Sequence, residues 1–131
     1  MSAIRGRDTK PELHVRRLLH RLGYRFRLHV ADLPGRPDIV FRARRKVIEV
    51  RGCFWHQHES PACPNNKLPA TRTTQWSRKL EGNVHRDARN KAALALMGWD
   101  TLVIWECDVR KFLDLSDILT TFLGPVRSKP R

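Results

Sequence analysis

The chain has 131 residues, which suits one domain with a modest core. Its 26 Lys and Arg face 13 Asp and Glu, a formal net charge of +13, and no long apolar run or signal-peptide pattern is visible. That balance excludes a membrane protein and points to nucleic acid as partner, with a solvated basic surface or a ribosome-like structural role as the plain alternatives. Three cysteines cannot complete an internal disulfide set. They read as reduced cytoplasmic thiols, for which clustered Cys and His make metal binding the usual use.

In chain order, residues 1–8 form a short basic arm whose apolar members are Met1 and Ile4. Thr9 caps a helix, Pro11 suits its first turn and Glu12 completes a capping box. Val15, Leu18, Leu19 and Leu22 make its apolar stripe, and Gly23 ends it. Tyr24–His29 alternates as a strand, and Leu33-Pro-Gly-Arg-Pro37 is a turn by composition. Asp38–Phe41 reads as a strand opened by an acid, and a basic turn, Arg42–Lys46, leads to the next. Residues 52–70 read as a long loop, usually a functional one. A short helix is expected over Thr71–Leu80. A second runs from Asn83 or Val84 to Met97, with Val84, Ala88, Ala92, Ala95 and Leu96 as its apolar face. Thr101–Trp105 reads as a buried strand, and Ser116 as the cap of a last helix through Phe122. Residues 9–123 then form the domain, and 124–131 a basic tail. Trp99 and Trp105 read as core, and His14, His20, His29 and His85 as surface residues.

The densest chemistry lies at Val47–His58. Val47, Ile48 and Val50 suit a strand, Gly52 permits a sharp turn, and a thiol, two large aromatics and two imidazoles follow within six residues. Cys53, His58 and Cys63 are spaced Cys-x4-His-x4-Cys, and Cys107 follows the Thr101–Trp105 strand. Cys3His is a closed structural Zn2+ set, which would staple the long loop to the sheet. The plain alternative is three small buried hydrophobes.

Pro37-Asp38 is followed, ten residues on, by Glu49-Val50-Arg51. This follows the PD…(D/E)xK pattern of magnesium nucleases, with Arg in the Lys position. Two acids at adjacent strand ends hold Mg2+ in such sites, and the metal activates water and stabilises charge on phosphate. Alternatively Asp38 caps the turn and Glu49–Arg51 is a surface ion pair.

Leu33-Pro-Gly-Arg-Pro-Asp38, Gly52-Cys-Phe-Trp-His56, Pro69-Ala-Thr-Arg-Thr73, Asn83 with Arg86-Asp87, Gly98-Trp99, Val103-Ile-Trp-Glu-Cys107 and the opening Ile4-Arg-Gly-Arg-Asp-Thr9 occur in one order. Together they resemble the very-short-patch-repair mismatch endonucleases over about residues 1–112. The resemblance implies an α/β, restriction-endonuclease-like domain with a central mixed sheet, flanking helices and a zinc-stapled loop. It implies Mg2+-dependent nicking of one strand of double-stranded DNA at T·G mismatches left by deamination of 5-methylcytosine. It further implies a monomer in the bacterial cytoplasm, nucleoid-associated when bound, with mismatch-repair proteins as further partners.

Carried over residue by residue, Asp38 resembles the metal-binding Asp, the Val50 carbonyl a further Mg2+ ligand, and His56 the histidine that activates or positions water. Glu12 resembles an acid near the metal, so its capping reading competes with a functional one. Cys53, His58, Cys63 and Cys107 match zinc ligands. Phe54, Trp55 and Trp76 resemble aromatics that wedge into the base stack; Met1, Ile4 and Arg72 are read as further DNA contacts. Arg51 stands where the family often has His, and Glu49 where it has an apolar residue. Both are read as catalytic, Arg51 stabilising phosphate charge and Glu49 binding Mg2+ through water or holding Arg51. A zinc-containing mismatch-binding protein with weakened catalysis and a restriction-type nuclease of other specificity are the competing readings.

Overall fold

The computed structural model describes residues 9–52, 73–109 and 115–126, of which 73–76 by backbone alone. The first helix, α1, runs Lys10–Leu22. The Thr9 hydroxyl accepts the Glu12 N–H at 3.3 Å, and Gly23, at φ 98°, closes the other end by donating to the carbonyls of Leu19 and His20. Val15 and Leu19 are fully buried, with Leu18 and Leu22 packed at their side. The apolar stripe is therefore the packed face, as its spacing requires.

Four strands make one mixed sheet in the order β1 (Arg27–Leu28), β2 (Ile39–Phe41), β3 (Lys46–Arg51), β4 (Asp100–Trp105). The first three pair antiparallel, and β4 lies parallel to β3 in the register Val47↔Thr101 to Arg51↔Trp105. A parallel neighbour needs a crossover, supplied by helix α2, Thr73–Leu96. A 3-10 turn, Arg42–Arg44, followed by Arg45 at φ 56°, joins β2 to β3. After β4 come α3, Glu106–Val109, and α4, Leu115–Leu123.

Alternation along the strands sorts the core into two clusters. Ile39, Phe41, Ile48 and Ile104 pack with Val15, Leu19 and Tyr24 and with Leu115, Leu119 and Leu123 of α4. Val40 and Val47 point the other way, to Leu33, Leu94 and Trp99. The α4 C-terminus is held by cations: Arg44 donates to the carbonyls of Leu123 (2.6 Å) and Pro125 (3.0 Å), and Lys46 to that of Phe122 (2.5 Å). The Tyr24 hydroxyl donates to the Gly124 carbonyl.

Four local expectations are corrected. The strand expected over Tyr24–His29 shrinks to Arg27–Leu28, because Tyr24 and Phe26 turn into the core and His29 adopts φ 47°. The two helices expected over 71–97 are one helix of 24 residues. Gly82 does not break it, since an interior Gly costs only about 1 kcal/mol against Ala. The expected apolar face of that helix is its outer one: Val84, Ala88, Ala92, Ala95 and Leu96 are exposed, while Leu80 and Leu94 are buried. Ser116 is not a cap; it lies inside α4, where its carbonyl accepts from the Thr120 hydroxyl at 2.9 Å. Among the described residues no helix is long and apolar enough to cross a membrane.

Candidate active site

The site lies where β2 and β3 meet the start of α1. The Leu33–Pro37 turn is set close against α2: Gly35 has φ 78°, and a Cβ there would lie 2.7 Å from the Asn90 side-chain nitrogen. Only Gly meets both demands. The turn delivers Asp38, buried, to the head of β2. The register Ile39↔Ile48 carries on one residue to place Asp38 across from Glu49. The Val50 N–H donates to Asp38 Oδ2 at 2.8 Å, so the carboxylate takes over an edge of β3 that β2 no longer covers.

Glu12 comes from the first turn of α1 and is 1% exposed. Its Oε2 accepts from Arg16 Nε at 3.1 Å and also meets Arg16 Nη2. Thr9 caps α1 as expected, while the Glu12 carboxylate faces Arg16 and His29.

His29 completes the group. Its Nε2 lies 3.0 Å from Glu12 Oε2 and 3.9 Å from Asp38 Oδ1, and its side chain is 13% exposed. That Nε2 is buried and makes no hydrogen bond. One donor atom each from Glu12, His29 and Asp38 lie within 4.8 Å of one another. His29 was expected on the surface, and this is a correction. The hairpin held the missing signal: Leu28 pairs with Ile39, so the next residue on β1 falls opposite Asp38, and the His29 N–H donates to the Asp38 carbonyl at 3.1 Å.

Burial pushes Asp38 from 3.8 up to about 8; the Val50 N–H opposes that rise, Glu12 and Glu49 add to it, and Arg16 works against it. A carboxyl so crowded by other acids is restored to its charged form by a cation placed among them. Oxygen donors with one imidazole suit a hard or borderline divalent ion. The donors present therefore fit a divalent cation at Asp38.

On the α2 side of the sheet Glu49 and Arg51 share a face, as alternation requires. Arg51 Nη2 lies 4.0 Å from Glu49 Oε1 and its Nε 3.8 Å from Asp87 Oδ2 on α2, while the guanidinium carbon sits 5.9 Å from the Trp105 ring centre. The Nε is buried without a hydrogen-bond partner. Arg51 is thus steered by two carboxylates and a ring; Asp87 stands in the sequence only as part of a motif, and its place beside Arg51 comes from the packing of α2. Trp105 is half-buried beneath Arg51, whereas Trp99 is core.

Cys107 is half-buried in α3, two residues beyond the point where Arg51 and Trp105 end their strands side by side. The other expected zinc ligands, Cys53, His58 and Cys63, lie outside the described residues, as do His56, Phe54, Trp55, Arg72, Met1 and Ile4. Trp76 lies in the first turn of α2, with its side chain outside them.

A family model described as DNA mismatch endonuclease Vsr matches residues 1–62. The chain is 49% identical over 125 residues to the type II nicking enzyme V.XorIIP of Xanthomonas oryzae pv. oryzae, covering 95% of this chain and 90% of that one. It is 45% identical over 117 residues to the DNA mismatch endonuclease Vsr of Escherichia coli, covering 89% and 73%. With the type II nicking enzyme V.NmeAIP of Neisseria meningitidis it shares 34% over 110 residues, covering 84% and 76%.

Proposed function

The chain belongs to the Vsr family of DNA mismatch endonucleases, and from that premise we propose that it nicks one strand of duplex DNA at a T·G mismatch with a divalent metal, Mg2+, held at Asp38. The observation that carries this reading is the meeting of buried Asp38, Glu12 and His29 beside the end of β3. A Mg2+ bound there would lower the pKa of a water and offset charge on the scissile phosphate.

The chain's own groups do the rest. Asp38 would bind the cation through Oδ1, since the Val50 N–H holds Oδ2. The Val50 carbonyl would be a further ligand: a strand residue turns its N–H and C=O to the same side, here that of Asp38. Continuing the β2–β3 register puts Pro37 opposite Val50, and Pro has no N–H for that carbonyl. Glu12, fixed by Arg16, would face the cation beside Asp38. Arg51 stays protonated and serves as the donor to the scissile phosphate, aimed by Asp87 and Glu49. His56 takes the proton from water.

Cys53, His58, Cys63 and Cys107 would hold a structural zinc; three thiolates and one imidazole are a complete tetrahedral set. Phe54, Trp55 and Trp76 wedge beside the mismatch, where a mispaired step unstacks cheaply. The net charge of +13 supplies phosphate affinity that falls with salt. Mismatch-repair proteins are further partners.

Nicking of T·G, matched and unrelated mismatched duplexes with Mg2+ tests this reading. Asp38→Ala should abolish nicking while T·G binding persists. Binding without nicking by the wild-type protein would sink the enzymatic reading.

A further inference from the structure

His29 is the one imidazole that the described structure brings to the two buried carboxylates, and the scheme above gives it no role of its own. Its Nε2 is 3.0 Å from Glu12 Oε2 yet makes no hydrogen bond. A bare imidazole nitrogen facing a carboxylate oxygen at that distance sets two lone pairs against each other. Something positive must sit between them, either a proton or a cation. Two ligands at right angles around a small divalent ion, each about 2.1 Å from it, are about 3.0 Å apart, the separation seen here. The wider 3.9 Å span to Asp38 Oδ1 suits ligands further apart around the same ion.

The backbone is bent to put the ring there. His29 sits at φ 47°, a left-handed conformation uncommon for a residue other than Gly. Its N–H is fixed by the Asp38 carbonyl, so ring and carboxylate are set by the same pair of residues. Arg16 pairs with the same Glu12 oxygen and offsets part of the negative charge that Glu12 and Asp38 bring to the cluster.

We propose that His29 Nε2 is a direct ligand of the divalent cation held by Asp38, making the centre a mixed nitrogen–oxygen site that prefers Mn2+ or Co2+ over Mg2+. Imidazole favours the later first-row ions, whereas Mg2+ keeps to oxygen. The inference rests on the metal reading of Asp38 given above.

Pulsed electron paramagnetic resonance of Mn2+ bound to the full chain tests it without reference to activity. The wild type should show nitrogen coupling that disappears in His29→Gln and persists in His56→Ala. Calorimetry should show Mn2+ affinity falling about 10–100-fold in His29→Gln, with a smaller loss for Mg2+. If His29→Gln does not fold, His29→Asn is read in the same way. Asp38-dependent Mn2+ binding whose nitrogen coupling is absent, or survives in His29→Gln, would overturn direct ligation and leave the metal reading intact. Mn2+ binding that is absent, or indifferent to Asp38→Ala, would overturn both.

Discussion

Helices α1 and α2 cover opposite faces of the same sheet and obey different rules. On α1 the inward line is apolar, with Val15 and Leu19 fully buried, and it meets the larger core cluster. On α2 the inward line runs from Leu80 to Leu94 through Asn83, Asp87 and Asn90, all at least half-buried. Those polar residues have work on that side: Asp87 faces Arg51, and Asn90 closes over Gly35. Meanwhile Leu96 is 90% exposed. Apolar burial makes α1 a source of stability, whereas α2 spends its inner face on aiming charge. A helix beside a charged site can thus carry its small apolar residues outward, and its periodicity then indicates the wrong face.

That contrast is open to direct tests. The largest effect is expected on the α1 side. Leu19→Ala should destabilise the fold by about 2–5 kcal/mol, read from the urea midpoint, with nicking per folded molecule unchanged. Unaltered stability would mean that α1 is not the structural face.

Arg51→Ala should do the reverse. Turnover on T·G duplex should fall by about 10²–10³-fold, as for other single charge-stabilising donors, with little change in melting temperature. If this variant loses stability and keeps its turnover, Arg51 belongs to the packing and the contrast collapses.

A smaller effect is expected from pH. With its pKa at about 8 in the folded metal-free protein against an ordinary 3.8, Asp38 binds its proton more tightly when folded. Its contribution to stability is fully present below pH 3.8 and is lost as pH rises through about 8. Melting temperatures without metal should therefore decline across that window, and saturating Mg2+ should remove the decline attributable to Asp38. A slope in this window that Asp38→Asn leaves unchanged would assign it to other groups.

The smallest effect is expected on the outer face of α2. Leu96→Ser should change stability by no more than about 0.5 kcal/mol, because the side chain is already in solvent. A loss several times larger in chemical denaturation would show that the expected apolar face is packed after all.

Much of the fold was legible in the residues. Thr9, Pro11 and Gly23 mark the ends of α1, and the stripe between them names its buried face. Val47, Ile48 and Val50 announce β3, and the ten residues between Asp38 and Glu49 imply a hairpin that sets these acids opposite each other. Of the candidate site, chemistry and spacing pointed to Asp38, Glu49 and Arg51, whereas Glu12 was singled out only by the family resemblance. The site was not legible at His29, nor in the place that Asp87 takes beside Arg51. An imidazole in a short edge strand and an acid on a helix look like ordinary surface residues until the elements carrying them are packed.

The sequence alone settled the basic surface, the first helix, the strand pairing around Asp38 and the family, because each depends on residue type at short range or on a run of motifs in order. Only the tertiary structure decided which face of α2 looks inward and that His29 turns onto Glu12 and Asp38. Both outcomes depend on contacts between segments far apart in the chain. There, burial of a charged pair or a bent backbone is set by what lies opposite, and local periodicity holds no record of it.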